Sequence, residues 1–280
     1  MPQIDVSCDL TYQIRQSTIF LFQIAAAQTE HQRLICGQFR IEPHLNIEIC
    51  PIGNEGNQLQ RIVVEPCEMH FGYRATVELS PDVEVPTTVG ESIASQIPAE
   101  ILTYLNPSRY CESDLLSKFA FEEFGSVPRG FSRVKAICDW VNSHLEYTPG
   151  STNATTTAAD VVLSRAGVCR DYAHLAITLC RGVGIPARYV AGYAVDLHPP
   201  DFHGFFEAFL DGHWYLFDPA RMASVGGFVR IGVGRDAADA SFATLIGAAL
   251  MTQKVVQATK SINDSTANIA DISQAAVSTA

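Results

Sequence analysis

The chain has 280 residues, of which 47% are hydrophobic, and its formal net charge is −11. This length and composition suit a domain with its own core and an accessory unit. An acidic surface repels phosphate backbones, so nucleic acid is not expected as a partner.

The beginning of the chain carries no predicted targeting or membrane segment. MPQIDVSCDL lacks a basic region followed by an apolar run, and the apolar stretch TIFLFQIAAA is only ten residues long and contains a glutamine. That stretch is too short to span a bilayer. We therefore expect a cytoplasmic protein with reduced thiols and no membrane partner.

Residues 1–85 alternate between apolar and polar positions, as half-buried strands do. In MHFGYRATVEL, every second residue from Met69 to Leu79 is apolar, and in LNIEICPI the apolar positions are Leu45, Ile47 and Ile49. The pattern predicts an N-terminal β-sandwich over residues 1–85, with a linker near PDVEVPTTVG. No catalytic cluster is recognisable in this part of the chain.

The next part of the chain, from residue 86, changes to helical spacing. A short helix is predicted for AEILTYL, and Ser113 and Ser132 are predicted to cap two longer helices. After Cys169, apolar residues recur at i, i+3, i+4 and i+7, which predicts a helix that ends near Gly182.

Three predicted strands follow that helix: ARYVAGYAV, HGFFEAFL and HWYLFDP. Asp211-Gly212 is a two-residue hairpin signal between the last two strands. Helices followed by an antiparallel sheet define an α+β fold, and we assign the catalytic domain to residues 86–258. Residues 259–280 are predicted to be a mobile tail, because SINDSTANIADISQAAVSTA has no aromatic residue, glycine or proline.

The eight cysteines show no CxxC or Cys/His ligand spacing, so neither a metal site nor another cofactor is predicted. Seven of them are interpreted as small core residues: Cys8, Cys36, Cys50, Cys67, Cys111, Cys138 and Cys180. Cys169 differs because it stands in GVCRDYAHL at the start of a predicted helix. The free N–H groups and partial positive charge of a helix start favour a nucleophilic thiolate.

A nucleophilic cysteine needs a base, and the base needs a group that orients it. His203 begins HGFFEAFL and Asp218 ends HWYLFDP, and these two ends lie side by side in a hairpin. The residues alone leave other histidines open as the base. These are His174 on the Cys169 helix, His198 in a loop and His213 after the hairpin turn.

The order GVCRDYAHL, GIPARYVAGY and HGFFEAFLDGHWYLFDPA resembles the transglutaminase-like superfamily of papain-type cysteine enzymes, from about Ser132 to Arg221. The β-rich first segment resembles the N-terminal domain of many bacterial members. The resemblance implies that Cys169 is the nucleophile, His203 the general base and Asp218 the third member of a triad. It also implies a papain-like core. The family often has His-Ala-Trp where this chain has His203-Gly204-Phe205, which leaves substrate preference open.

The predicted function is that of a cysteine hydrolase, which cleaves amide bonds in a peptide or protein substrate through a thioester intermediate. A transglutaminase would use the same residues with an amine as the second substrate. A third alternative is a catalytically idle member that binds peptides, although all three triad residues are present. The natural substrate and the oligomeric state stay open.

Several residues around the triad receive lesser interpretations. The Cys169 backbone N–H is a natural oxyanion donor, and Asp171 is interpreted as complementing the first helical turn. Arg170 either pairs with an acid or faces solvent. The remaining interpretations are a core position for Tyr193 and Trp214 and an exposed ion pair for Arg235 and Asp236.

Overall fold

The computed structural model describes residues 1–53, 55–261 and 275–280. Its strands are β1 (Gln3–Ile14), β2 (Thr18–Phe22), β3 (Gln32–Glu42), β4 (Glu48–Ile52), β5 (Asn57–Val64), β6 (Glu68–Leu79), β7 (Asp82–Glu84), β8 (Glu146–Tyr147), β9 (Ala166–Gly167), β10 (Ala187–Ala194), β11 (Phe202–Leu210), β12 (His213–Phe217), β13 (Phe228–Gly234), β14 (Ala243–Ile246), β15 (Ala249–Lys260) and β16 (Ala276–Ser278). Its α-helices are α1 (Ser113–Phe124), α2 (Phe131–His144), α3 (Ala158–Ser164) and α4 (Cys169–Gly182). Short 3-10 helices lie at Pro86–Thr88, Ala94–Gln96, Ala99–Leu105 and Val225–Gly227.

The first part of the chain forms a β-sandwich, as its alternating pattern predicted. One antiparallel sheet has the order β15-β1-β6-β3 and the other has the order β14-β2-β5-β4. Aromatic rings join the two layers. Tyr12 meets Phe20 edge-on with ring centroids 4.9 Å apart, and Phe71 stacks on Phe22 at 4.5 Å. The alternate residues from Met69 to Leu79 are all buried.

The segment LNIEICPI departs from its predicted pattern. Ile49 is 44% exposed, and Leu45 and Ile47 are only half-buried. Strand β4 begins at Glu48 and is an edge strand paired with β5 alone. The three apolar residues therefore do not share one strand, and alternation in the sequence overstated their burial.

The second part of the chain has the predicted α+β architecture. Helix α4 packs on β10 and β11 of an antiparallel sheet with the order β12-β11-β10-β13, and the other three α-helices pack against α4. The predicted caps are displaced by one or two residues, because Glu112 and Gly130 precede α1 and α2. AEILTYL forms a 3-10 helix instead of an α-helix.

The hairpin between β11 and β12 turns at the predicted dipeptide. Asp211 and Gly212 both have positive φ angles, 47° and 87°, and Leu210 pairs with His213 across the turn. Two successive positive φ angles match the right-handed twist of the flanking strands. The hairpin thereby fixes the register that brings the two strand ends together at the site.

The C-terminal part of the chain differs from the predicted domain organisation. β14 pairs with β2 and β15 pairs with β1, so residues 243–260 return to the sandwich instead of ending the catalytic domain. Of the predicted mobile tail, residues 262–274 lie outside the described residues. The last residues form β16, which pairs with β7, and Ala276 and Val277 are fully buried. This short apolar run is therefore ordered by its pairing with β7, although the sequence before it is polar.

Candidate active site

Cys169 is the first residue of α4 and is partly exposed. Val168 before it is extended, with φ −116°, so the chain turns into the helix at the thiol. The two-residue strands β8 and β9 run parallel and lead the chain to this point. The predicted helix-start position is therefore present, and the first N–H groups of the helix lie beside the sulfur.

Asp171 holds the start of α4 together. The sequence interpretation had it only complement the charge of the first helical turn. Its side chain is 1% exposed and accepts hydrogen bonds from the Val168 N–H at 2.9 Å and the Thr152 hydroxyl at 2.6 Å. Arg170 donates to its other oxygen at 2.8 Å and to the Asn153 carbonyl at 2.9 Å. Arg170 thus pairs with an acid, and the two side chains fasten the loop before α3 to the thiol-bearing turn.

Gly167 allows this arrangement by its lack of a side chain. A Cβ at residue 167 would lie 2.8 Å from the Asp171 Cβ, closer than real side chains approach. The glycine therefore makes room for the buried carboxylate.

His203 lies near the start of β11 and Asp218 follows the end of β12, and the two side chains are paired. His203 Nε2 lies 3.1 Å from Asp218 Oδ2, and the side chains are 1% and 4% exposed. The His203 imidazole also interacts with the Cys169 side chain. Since Nε2 faces the carboxylate, the other ring nitrogen is the one free for the thiol. The structure thus brings all three predicted residues together.

The protonation of His203 follows from these neighbours. Burial alone lowers the pKa of an imidazole, but the hydrogen bonds to Asp218 and Cys169 and the charges of both partners outweigh it and raise the His203 pKa to about 10. The imidazolium is therefore the favoured form between its partners at neutral pH. That is the protonation state of one half of a thiolate–imidazolium pair.

Asp218 is itself fixed by its backbone surroundings. Its Oδ1 accepts the Ala220 N–H at 3.0 Å, and its Oδ2 accepts the Met222 and Ala223 N–H groups at 2.9 and 3.1 Å. Asn142 of α2 donates to the Pro219 carbonyl at 3.1 Å and holds the same turn. The carboxylate therefore reaches His203 from a turn that it also organises.

The residues after His203 explain the departure from His-Ala-Trp. A Cβ at Gly204 would lie 2.5 Å from the Tyr189 hydroxyl, so this sheet position accepts only glycine without a shift. Phe205 meets the His203 ring edge-on, with centroids 4.7 Å apart, and also packs on Phe228 at 4.1 Å. Phe205 therefore acts as a buried wall behind the imidazole.

The alternative histidines lie in other surroundings. His174 is 1% exposed, accepts the Ala237 N–H at 3.1 Å and stacks on Tyr110, and burial lowers its pKa to about 3. It is thus a neutral core residue. His198 lies in the loop before β11, and His213 is exposed after the hairpin turn.

The other seven cysteines divide into two groups, which corrects the view that all are core residues. Four are buried, and burial raises the pKa of their thiols: Cys8, Cys111, Cys138 and Cys180. Cys36 is exposed, and Cys50 and Cys67 are half-buried. The buried group is protected by desolvation, and the other three lie on the sandwich away from any helix start.

The structure also tests the core positions and the exposed ion pair that were predicted for residues around the triad. Tyr193 is fully buried and donates to the Ile24 carbonyl at 2.8 Å, and Trp214 is 8% exposed with Arg188 over its ring, so both are core residues as expected. The exposed Arg235–Asp236 pair is wrong. Arg235 pairs with Asp239, while Asp236 is buried and accepts the Tyr110 N–H at 2.8 Å.

Sequence reasoning missed Tyr147, which belongs to this site. Its hydroxyl interacts with both the backbone N–H and the side chain of Cys169. The tyrosine stands in a polar loop region, and its strand β8 has only two residues, too few to produce an alternating pattern. Its pairing with Gly167 across β8 and β9 is visible only in three dimensions.

Two further findings concern the described residues only. Over residues 1–53, 55–261 and 275–280, no three His, Cys, Asp or Glu side chains are grouped so that they could hold a metal ion. Within the same ranges, none of the helices has the length and apolar character needed to cross a membrane.

The fold and the site define a class of protein, and two family models describe it. Residues 119–219 match the transglutaminase-like superfamily, and residues 3–91 match the bacterial transglutaminase N-terminal domain. The chain belongs to the transglutaminase-like superfamily, with the N-terminal domain of its bacterial members.

Individual proteins are also similar to this chain. The crystal structure of a candidate cysteine protease from Cytophaga hutchinsonii is 38% identical and superposes with a TM-score of 0.92, over 99% of this chain and 97% of that one. An uncharacterised protein of Mycobacterium leprae is 35% identical over 118 residues, which cover 38% of this chain and 41% of the relative. One of Mycobacterium tuberculosis is 30% identical over 108 residues, covering 39% of this chain and 34% of the relative. The chain thus spans about two fifths or less of the curated relatives it matches.

Proposed function

We propose that this protein is a cysteine hydrolase that cleaves amide bonds in a peptide or protein substrate. The observation that carries the proposal is the His203 imidazole, which lies between the Asp218 carboxylate and the thiol at the start of α4. The similar protein from Cytophaga hutchinsonii, described as a candidate cysteine protease, supports the same activity.

The first half of the reaction forms a thioester. The Cys169 thiolate adds to the carbonyl carbon, a C–S bond forms, and the carbonyl electron pair moves to oxygen as an oxyanion. The backbone N–H of Cys169 donates to that oxygen. When the carbonyl re-forms, the C–N bond breaks, and the His203 imidazolium gives its proton to the leaving amine.

The second half releases the acid. His203, now neutral, takes a proton from water as the oxygen adds to the thioester carbonyl. The C–S bond then breaks, and the thiolate returns beside the re-formed imidazolium. Asp218 keeps the imidazole oriented through both halves. All proton transfers are therefore carried by one histidine, and no redox step occurs.

Transglutaminase activity is the competing outcome, because an amine in place of water would resolve the same thioester. We expect hydrolysis to dominate. Phe205, at the position often held by a tryptophan, has no N–H donor and is buried behind His203 instead of covering the thioester.

The test mixes the enzyme with a peptide library and a tagged primary amine, with Cys169→Ala as the control. Free acid products with little incorporated tag, absent with Cys169→Ala, are the expected result. Efficient incorporation of the tag that Cys169→Ala abolishes would make this a transglutaminase. Peptide cleavage that persists in Cys169→Ala would contradict the proposed nucleophile.

A further inference from the structure

The position of Tyr147 is set by the backbone on both sides of it. The Glu146 N–H donates to the Arg165 carbonyl at 2.8 Å, and the Thr148 N–H donates to the Gly167 carbonyl at 3.0 Å. These two bonds fasten Tyr147 beside Gly167, two residues before the nucleophile. These backbone hydrogen bonds therefore fix the position of Tyr147 near Cys169 without help from its side chain.

The side chain of Tyr147 reaches the sulfur from this strand. Its hydroxyl interacts with the backbone N–H of Cys169 and also with the Cys169 side chain. The ring lies 5.9 Å from that of Tyr172, at an angle of 48°, and the residue is 36% exposed. The hydroxyl thus reaches the thiol while part of the ring stays in contact with solvent.

The position near both the Cys169 N–H and the sulfur is the one that the oxyanion occupies during acyl transfer. The tetrahedral carbon is bonded to the sulfur, and its oxyanion points at the backbone N–H of the nucleophile. One N–H alone leaves the other lone pairs of the oxyanion without a donor. Tyr147 supplies an O–H at that location.

We propose that Tyr147 is a catalytic residue whose hydroxyl is the second donor to the oxyanion, beside the Cys169 N–H. In the free chain the hydroxyl occupies the oxyanion position. The substrate carbonyl displaces it by a small movement, which its partial exposure permits, and the hydroxyl then donates to the developing negative charge. This inference rests on the proposed function and adds a residue to it.

The protonation of Tyr147 suits a donor. Burial raises the pKa of its hydroxyl above the ordinary tyrosine value, and the charge of the neighbouring Cys169 raises it further, although the Cys169 N–H acts in the opposite direction. The proton is therefore retained throughout the pH range in which the enzyme would work.

The test compares two reactions of the same thiol in Tyr147→Phe. Acylation by p-nitrophenyl acetate passes through an oxyanion, whereas alkylation by iodoacetamide displaces iodide at a saturated carbon and forms none. Loss of one oxyanion donor lowers acyl transfer by about 100-fold or more. We expect that loss for acylation in Tyr147→Phe, and alkylation at close to the wild-type rate. Cys169→Ala gives the background from other thiols.

Tyr172→Phe is the matched control, because its hydroxyl donates to the Leu145 carbonyl at 2.8 Å and not to Cys169. It should leave both reactions near wild type. Acylation of Tyr147→Phe that is unchanged or faster would overturn the donor role, and a parallel loss of both reactions would show a structural role instead. A wild-type Cys169 that the ester does not acylate would overturn the proposed function and this inference with it.

Discussion

Asp218→Asn separates the charge of the third triad residue from its shape. The asparagine oxygen can keep the place of Oδ2, which faces His203 and accepts the Met222 and Ala223 N–H groups. The amide nitrogen then replaces Oδ1, the acceptor of the Ala220 N–H. One backbone hydrogen bond is lost, at a cost of about 1 kcal/mol in the free energy of unfolding, and the chain should remain folded.

The larger effect falls on the imidazole. Hydrogen bonds to charged groups contribute about 1.5–3 kcal/mol and neutral ones about 0.5–1.5 kcal/mol, and one pH unit corresponds to about 1.4 kcal/mol. Asp218→Asn loses this difference in hydrogen-bond energy and the attraction between the Asp218 carboxylate and the imidazolium. The His203 pKa should therefore fall by about one to two pH units. The wild-type value is about 10.

The assay follows the His203 Cε1–H resonance in ¹³C-histidine-labelled protein as the pH is raised, with the resonance assigned by its absence in His203→Gln. The alkaline limb of peptide hydrolysis should move down with it, because the imidazolium is the acid that protonates the leaving amine. The same titration midpoint in wild type and Asp218→Asn would refute the assignment of the raised pKa to the Asp218 charge.

Three substitutions test the supporting structure, each by urea unfolding. Gly204→Ala drives a Cβ to 2.5 Å from the Tyr189 hydroxyl and should cost about 1–3 kcal/mol; a neutral result would mean that this approach is not tight. Asp171→Ala removes the buried carboxylate that accepts the Val168 N–H and the Thr152 hydroxyl and should cost about 1.5–3 kcal/mol, together with loss of Cys169 alkylation; normal stability would contradict the fastening role. Val277→Asp places a charge at a fully buried position of β16 and should cost more than about 2 kcal/mol, whereas no effect would favour the mobile tail.

The sequence was sufficient for the features that depend on local pattern. The alternation in β6, the apolar stripe of α4 and the Asp211-Gly212 turn each determine a local structure by spacing or by backbone preference. The hairpin then places His203 and Asp218 side by side, because both stand at the end of the hairpin opposite its turn.

Three of the features that sequence reasoning missed depend on contacts between segments that are separate in the chain. Tyr147 reaches Cys169 only through the pairing of β8 with β9, and Asp171 is buried only because Thr152 and Arg170 satisfy its carboxylate. Likewise, the return of β15 to pair with β1 joins residues more than 230 positions apart in the chain. Composition and periodicity describe a single segment, and they do not show which other segment of the chain it contacts.

The central claim is that Cys169 is the nucleophile and that His203 activates it. The most direct measurement is substoichiometric iodoacetamide labelling near neutral pH, followed by mass mapping of all eight cysteines in wild type, His203→Ala and His198→Ala. We predict that Cys169 is modified first, ahead of the more exposed Cys36, that His203→Ala removes this preference and that His198→Ala keeps it. Preferential labelling of another cysteine in the folded chain, or equal labelling of Cys169 in His203→Ala and wild type, would contradict the claim.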